Sequence, residues 1–243
     1  MTKSTSLNYR RFEPYSEQRE WLHSLSKKKV LFSGNRCGKT TIGSYEAALH
    51  LTGLYPHSWV GARFHHPVEW WVFGATSTIV RDTLQEELLG PIGELGRGWI
   101  PEDRLNIGCI TYKEGIPAAV DRARVEHVSG GFSRIQFFSY DMGAGKFQGS
   151  NADGYTMDEE PPIEMYDECL IRAPAVGAHV HVVLTPLNGK TKFIKRILDD
   201  GSVIKFTMTV DDVDHVSQES IDEMRRVLSE SEIQARLYGR IVE

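Results

Sequence analysis

The 243-residue sequence has few cysteines, no long apolar run and no basic surplus. Its three cysteines, Cys37, Cys109 and Cys169, are odd in number and lack the spacing of metal ligands, which favours reduced thiols. No apolar stretch approaches the ~20 residues that span a bilayer, and residues 1–6 lack the apolar core of a signal peptide. We therefore expect a cytosolic protein with no membrane association.

The charge balance argues against a dedicated nucleic-acid-binding protein. Lysine and arginine total 28 against 33 aspartates and glutamates, a formal net charge of −5, whereas such proteins normally carry a basic surplus. Any contact with DNA should therefore be local. One candidate is Lys192, Lys195 and Arg196, which share one face of a predicted helix. A solvated helix face is the alternative interpretation of the same residues.

Strand-like and helix-like patterns alternate along the chain, as in a parallel sheet covered on both sides by helices. We expect an α/β core over residues 1–200, with a last core strand and a small helical appendage over residues 201–243. Alternating segments on either side of Ser129-Gly130-Gly131 predict an antiparallel hairpin. The predicted strands cover residues 30–32, 69–74, 122–128, 133–140, 154–158, 179–184 and 203–210.

Two helical regions are also predicted. The first begins at Thr76 or Ser77 and ends at Gly90-Pro91. The second runs from Ser217 to Gly239. The first helix should bury one apolar face made of Ile79, Val80, Leu84, Leu88 and Leu89.

The segment from Ser33 to Thr41 follows a short apolar strand and precedes a helical pattern, which is the context of a phosphate-binding P-loop. Lys39 would reach the β and γ phosphates, and the Thr40 hydroxyl would bind Mg²⁺. The first glycine of the motif falls on Ser33, so Gly34 would supply the permissive backbone. A chance Gly-Lys-Thr in a turn is the alternative. The candidate nucleotide-binding residues here are Gly34, Asn35, Arg36, Cys37, Gly38, Lys39, Thr40 and Thr41.

A predicted strand over residues 154–158 ends in a cluster of carboxylates. In P-loop ATPases the first acid at such a strand end holds Mg²⁺, and the next polarises the attacking water. Asp158 and Glu159 match those roles, and a solvated acidic turn is the alternative. The aspartate-glutamate order favours hydrolysis over kinase chemistry.

Five segments together resemble the ATPase domain of the large terminase subunit, the DNA-packaging motor of tailed bacteriophages. They are residues 15–18, 34–41, 139–149 (Ser139-Tyr140 through Phe147-Gln148-Gly149), 158–162 and 184–189, in the family's order. The resemblance implies a P-loop NTPase fold of the ASCE type, with a mostly parallel sheet flanked by helices and a lid-like C-terminal helical appendage.

The resemblance also implies residue roles. Gln18 would read adenine, and Arg36 would join Lys39 and Glu159 as a catalytic residue by stabilising charge on the γ phosphate. Thr185 and Asn188 would couple hydrolysis to the rest of the domain. Without the resemblance, Gln18 is an exposed residue at a helix start, Arg36 a loop arginine, and residues 185–188 a proline-containing turn.

The implied function is Mg²⁺-dependent ATP hydrolysis that drives double-stranded viral DNA into a procapsid in the cytoplasm of the infected bacterial host. The implied partners are the portal protein, the terminase small subunit and further copies in a ring on the portal, the isolated domain being monomeric. A helicase-like P-loop ATPase on nucleic acid is the alternative enzyme. A nucleotide-gated docking module with negligible turnover is the alternative from another class.

Large terminases usually continue into a nuclease domain, and this sequence stops about where that domain would begin. We expect an isolated ATPase domain or the product of a split gene, with no nuclease activity. Ring motors of this kind use a basic residue from a neighbouring subunit. Lys146, Arg124 and Arg134 are candidates for it.

Overall fold

The computed structural model describes residues 12–143, 145 and 151–243. Its strands form one eight-stranded sheet in the order β3-β4-β5-β2-β6-β7-β1-β8. Six strands, from β5 to β8 in that order, pair in parallel, whereas β3, β4 and β5 pair antiparallel. The strands are β1 (Lys28–Ser33), β2 (Glu69–Gly74), β3 (Leu105–Tyr112), β4 (Val120–Glu126), β5 (Phe132–Ser139), β6 (Gly154–Asp158), β7 (His179–Leu184) and β8 (Ile204–Met208).

Helices cover both faces of the sheet. They are α1 (Ser16–His23), α2 (Lys39–Thr52), α3 (Ser77–Val80), α4 (Glu86–Leu89), α5 (Ile163–Val176), α6 (Lys192–Asp199), α7 (Gln218–Val227) and α8 (Glu230–Arg236). In β1, Val30 and Phe32 pack into the cluster that includes side chains of α5 and α6, whereas Leu31 packs against α1 and α2. The alternation follows from the two-residue period of a strand. Among the described residues, no helix is both long and apolar enough to cross a bilayer.

The predicted hairpin, core strands and fold class agree with the structure, and the first predicted helix differs in one respect. It starts at Thr76, whose hydroxyl accepts from the Ile79 N–H, and it ends at Gly90. Between α3 and α4 the helix has a π-helical turn, Arg81–Gln85. The predicted apolar residues Val80, Leu84, Leu88 and Leu89 are nevertheless buried across this turn. The prediction that Ile79 is buried with its neighbours was wrong, because 45% of it is exposed.

The C-terminal region is two helices rather than one, because the chain leaves the helical conformation at Leu228 and restarts after Ser229, which caps α8. Ile221 of α7 and Leu237, the C-cap residue of α8, join the apolar cluster that contains side chains of α1 and α2. The strand before them, β8, pairs with β1 along its length. The last strand and both helices therefore pack next to the strand that leads into the P-loop.

A fully buried ion pair lies between the sheet and α2. The Lys29 ammonium donates to Glu46 at 2.6 Å, and the Trp21 indole N–H donates to the same carboxylate at 2.7 Å. The rings of His50 and His181 lie against Glu46 as well. Burial lowers the pKa of each of these two histidines, which favours neutral imidazoles beside the ion pair.

Acid should destabilise the fold through the neighbouring His179. Burial, and then the proximity of His50, lower the pKa of His179 from 6.5 to about 4. Between those values the unfolded chain binds a proton that the folded chain does not, so stability is lost as pH falls from about 6.5 toward 4. The groups that face His179 are His50, Glu46, Lys29, Lys27 and His181.

We expect His179→Gln to remove about 3 kcal/mol from the difference between the unfolding free energies at neutral pH and near pH 4, measured by urea denaturation. The exposed His57→Gln is the matched control. An unchanged difference in the His179 variant would contradict this assignment.

Candidate active site

The loop between β1 and α2 forms an anion-binding helix start. Gly38 takes the N-cap position in a left-handed conformation, and it has no side chain with which to cap the helix. The first N–H groups of a helix have no carbonyl partner within it. Together with the helix dipole, the amides of Gly38, Lys39, Thr40 and Thr41 therefore present a site for a phosphate.

The Lys39 ammonium lies at the same place and forms an ion pair with Glu159, 2.9 Å from its carboxylate. Lys39 comes from the start of α2, and Glu159 directly follows β6. Because the two strands that lead to them run parallel, their carboxyl ends meet at one edge of the sheet. The predicted phosphate-binding cation and the predicted water-activating base are therefore in contact.

Beside this pair, the Thr40 hydroxyl donates to the Asp158 carboxylate at 2.9 Å. Burial, and then the nearby Glu159 carboxylate, raise the pKa of Asp158 to about 7. A cation beside such a carboxylate would stabilise its ionised form. A hydroxyl and a carboxylate also fit the oxygen preference of Mg²⁺, which usually takes a few protein ligands plus phosphate and water.

Thr185, at the end of β7, connects the two halves of the site. Its backbone N–H donates to the Glu159 carboxylate at 3.2 Å, and its hydroxyl donates to the Asn35 side chain at 3.1 Å. A movement of the Glu159 side chain can therefore be transmitted to the P-loop through Thr185. Asn188, which was predicted to act with Thr185, is exposed, and its side chain has no recorded bond to another described site residue.

The base of the P-loop is held by the C-terminal region. The Gly34 N–H donates to the Met208 carbonyl at 3.0 Å, and the Asn35 N–H donates to the Arg236 carbonyl at 2.6 Å. A Cβ on Gly34 would lie 2.4 Å from the Leu237 carbonyl oxygen. Gly34 is not in a left-handed conformation, so the prediction that it supplies a permissive backbone was wrong, and the glycine is required by this close approach.

Gln18 is buried and reaches the P-loop. Its side-chain oxygen accepts from the Tyr15 N–H, and its side-chain N–H donates to the Gly38 carbonyl at 3.4 Å. The alternative of an exposed helix-start residue is therefore wrong. In this conformation the amide bridges α1 and the P-loop, and reading a base would require it to exchange these partners.

Arg36 has an exposed side chain and a left-handed backbone with φ of +61°. Its carbonyl accepts from His215 Nε2 at 2.7 Å, and His215 Nδ1 lies 3.0 Å from the Tyr15 hydroxyl. Cys37 is buried, and burial raises the pKa of its thiol to about 11, which leaves its backbone N–H as the group available to a phosphate.

Three side chains that the sequence analysis did not single out contact predicted site residues: Glu87, His215 and Tyr140. Glu87 accepts from the Thr41 hydroxyl at 2.9 Å. It also lines a cleft of about 770 Å³ beside Thr40, whose other acidic walls include Asp82 and Glu86. Glu87 and His215 carry no sequence signal, because neither belongs to a motif. Tyr140 lies in a segment that supported the resemblance, although it had no assigned role.

Two of the three candidates for a basic residue supplied to a neighbour, Arg124 and Arg134, are not close to the P-loop within this chain. Arg134 pairs with Glu69 near the start of β5 and β2, and Arg124 lies opposite Arg134 in the sheet. Both therefore lie toward the end of the strands that is opposite the P-loop. Lys146 and the Phe147-Gln148-Gly149 segment lie outside the described residues.

Comparison with solved structures identifies the fold. A point variant of the large-terminase ATPase domain of Thermus phage P74-26 matches with a TM-score of 0.72 and 15% identity, over 97% of both chains. The large terminase of another thermophilic bacteriophage, in complex with ADP, matches with a TM-score of 0.64 and 15% identity, over 94% of this chain and 54% of that one. The fold is that of the ASCE-type P-loop ATPase domains, as the resemblance implied.

Sequence comparison then gives the family. The model described as "Terminase large subunit, T4likevirus-type, N-terminal" matches residues 30–243. The large terminase subunit of Salmonella phage P22 is 33% identical over 265 residues, covering 98% of this chain and 52% of that protein. This chain belongs to the terminase large subunit family, and it spans about half the length of that curated relative.

The contact between Gly34 and Leu237 gives a test of the site's construction. Gly34→Ala should push the C-terminal turn away from the P-loop, lower the unfolding free energy by roughly 1–3 kcal/mol and weaken nucleotide binding. Gly201→Ala is the matched control, because a Cβ there meets no atom within 4 Å. Thermal unfolding and fluorescent-nucleotide titration would measure both effects. Equal behaviour of the two variants would contradict the close approach.

Proposed function

We propose that this chain hydrolyses ATP with Mg²⁺ and that hydrolysis drives translocation of double-stranded viral DNA into a procapsid. The observation that carries the proposal is the uncapped start of α2 with Lys39 in contact with Glu159. A cation, free amides and two carboxylates at one sheet edge are what phosphoryl transfer to water requires. Membership of the terminase large subunit family favours packaging over the helicase-like alternative.

Binding of ATP would rearrange the ion pair. The γ phosphate attracts the Lys39 ammonium, and the amides from Arg36 to Thr41 surround the phosphate chain. Glu159 then loses its cation partner and is free to orient a water for attack on the γ phosphorus and to accept its proton. Arg36 begins this run of amides, and a guanidinium there would offset charge on the phosphate oxygens during transfer.

Thr40 and Asp158 are the residues that would hold Mg²⁺, which supplies charge neutralisation on the phosphate oxygens when it is bound. Gln18 would recognise the base after leaving Gly38. Thr185 would report the loss of the γ phosphate, because its N–H contacts Glu159 and its hydroxyl contacts Asn35. Asn188 remains a predicted member of this coupling segment.

The proposed partners are DNA, the portal protein, the terminase small subunit and further copies of this chain in a ring on the portal, in the cytoplasm of the infected host. The local DNA contact would use α6, where Lys192, Lys195 and Arg196 are all exposed on one helix. Their phosphate contacts would give a salt-dependent grip without sequence preference.

Two substitutions separate binding from chemistry. Lys39→Ala should abolish detectable ATP hydrolysis with the fold intact, because the phosphates lose their only cation from the P-loop helix. Glu159→Gln should keep Mg²⁺-ATP affinity within a few fold while turnover falls by orders of magnitude. Phosphate release and nucleotide titration measure the two quantities. Wild-type turnover in Lys39→Ala would overturn the proposal. Loss of binding without a specific loss of turnover in Glu159→Gln would give Glu159 a structural role.

Turnover should also depend on assembly. A basic residue supplied by a neighbouring copy is worth roughly 10³ to 10⁵ in rate in related phosphoryl-transfer systems. We expect isolated chains to be monomeric and weakly active, with turnover rising steeply with protein concentration or on a portal with DNA. Sedimentation and initial rates over a wide concentration range test this. High activity that is independent of concentration in a monomer would leave Arg36 as the sole arginine at the γ phosphate.

A further inference from the structure

The Tyr140 hydroxyl lies next to the backbone of Asp158 and Glu159, at the turn that follows β6. It is 3.1 Å from the Asp158 carbonyl oxygen and 3.1 Å from the Glu159 carbonyl oxygen, and it donates to this pair of acceptors. The ring packs against the apolar cluster formed with α5 and α6. None of the roles described above uses this residue.

The corner that Tyr140 supports has an unfavourable backbone conformation. Glu159 has φ of +65°, and among the described residues only Arg36 and Ala118 are other non-glycine residues with positive φ. A non-glycine residue in this conformation is strained and persists where its surroundings fix it. Here the Glu159 N–H donates to the Val183 carbonyl at 2.8 Å, and Tyr140 holds the carbonyls on either side of it.

Tyr140 is itself fixed by its neighbours. The preceding Ser139 has a hydroxyl that donates to the Asp141 carboxylate at 2.5 Å and lies 2.8 Å from the Ser77 hydroxyl. The turn that carries Tyr140 is thereby connected to the start of α3.

We propose that Tyr140 is a positioning residue for hydrolysis, and this inference rests on the proposed function. Its hydroxyl holds the left-handed corner at the end of β6, which sets the direction in which the Glu159 side chain leaves the backbone. The contact is to backbone carbonyls rather than to the carboxylates. Loss of the Tyr140 hydroxyl should therefore change the orientation of the Glu159 side chain, with little effect on the affinity for nucleotide.

Tyr140→Phe tests the inference, because it removes the hydroxyl and keeps the packed ring. We expect kcat to fall roughly tenfold, as for loss of about one hydrogen bond, with KM and Mg²⁺-ATP affinity within about twofold of wild type. The matched control is Tyr155→Phe, which removes a phenol that accepts from the Ala152 N–H instead. It should leave kcat unchanged.

A double-mutant cycle distinguishes positioning from general support. If Tyr140 acts through Glu159, Tyr140→Phe should cause no further loss in single-turnover rate when Glu159 is already glutamine. A merely structural role would lower the rate by the same factor in both backgrounds. Hydrogen exchange supplies a readout without catalysis: the Glu159 N–H should exchange several-fold faster in Tyr140→Phe and not in Tyr155→Phe.

The outcomes separate this inference from the function on which it rests. If the wild-type chain fails to hydrolyse ATP under assembly conditions, the proposed function fails and the inference fails with it. Two results with an active wild-type chain would overturn the positioning role alone. One is a full kcat in Tyr140→Phe. The other is a double variant in which the rate losses of Tyr140→Phe and Glu159→Gln multiply. Faster exchange with an unchanged kcat would likewise reject a role in hydrolysis.

Discussion

The contact between Lys39 and Glu159 depends on the order of three parallel strands. Because β6, β7 and β1 are hydrogen-bonded neighbours, their carboxyl ends lie at one sheet edge, about 5 Å apart from strand to strand. That spacing allows side chains from separate parts of the sequence to touch, as Lys39 and Glu159 do across the width of β7. The P-loop, the acidic corner and Thr185 each follow one of these strands. The order of the strands therefore determines which functional groups lie together at this edge, whatever the conformation of each side chain.

The same edge also concentrates backbone strain. Arg36 and Glu159 both adopt a left-handed conformation without being glycine, and each is supported by a hydrogen bond from a distant ring, His215 for the first and Tyr140 for the second. Strained residues at functional positions persist where the surrounding structure fixes them. The C-terminal helices add to this support, because the Arg236 carbonyl accepts from the Asn35 N–H. The P-loop is therefore held from both ends of the chain.

Sequence patterns predicted the parts of the site whose chemistry demands local spacing. The P-loop was predicted from a glycine-lysine-threonine after a strand, and the acidic site from a pair of carboxylates after a buried strand. The hairpin was predicted from a Gly-Gly turn between alternating segments. The π-helical turn at Arg81–Gln85 was missed, because its apolar residues fit an α-helical period equally well. The bond between His215 and Arg36 joins residues 179 positions apart. Such contacts depend on how C-terminal segments pack against β1, which no local pattern contains.

The most direct test of the account is a crystal structure of this chain with Mg²⁺ and a non-hydrolysable ATP analogue. We predict that the phosphates bind the amides at the start of α2, that the Lys39 ammonium moves from Glu159 to the phosphates, and that Thr40 and Asp158 hold the metal. The left-handed corner at Glu159 should remain on the Tyr140 hydroxyl. A nucleotide bound in the acidic cleft beside Glu87, with the Lys39 and Glu159 ion pair intact, would contradict the central claim.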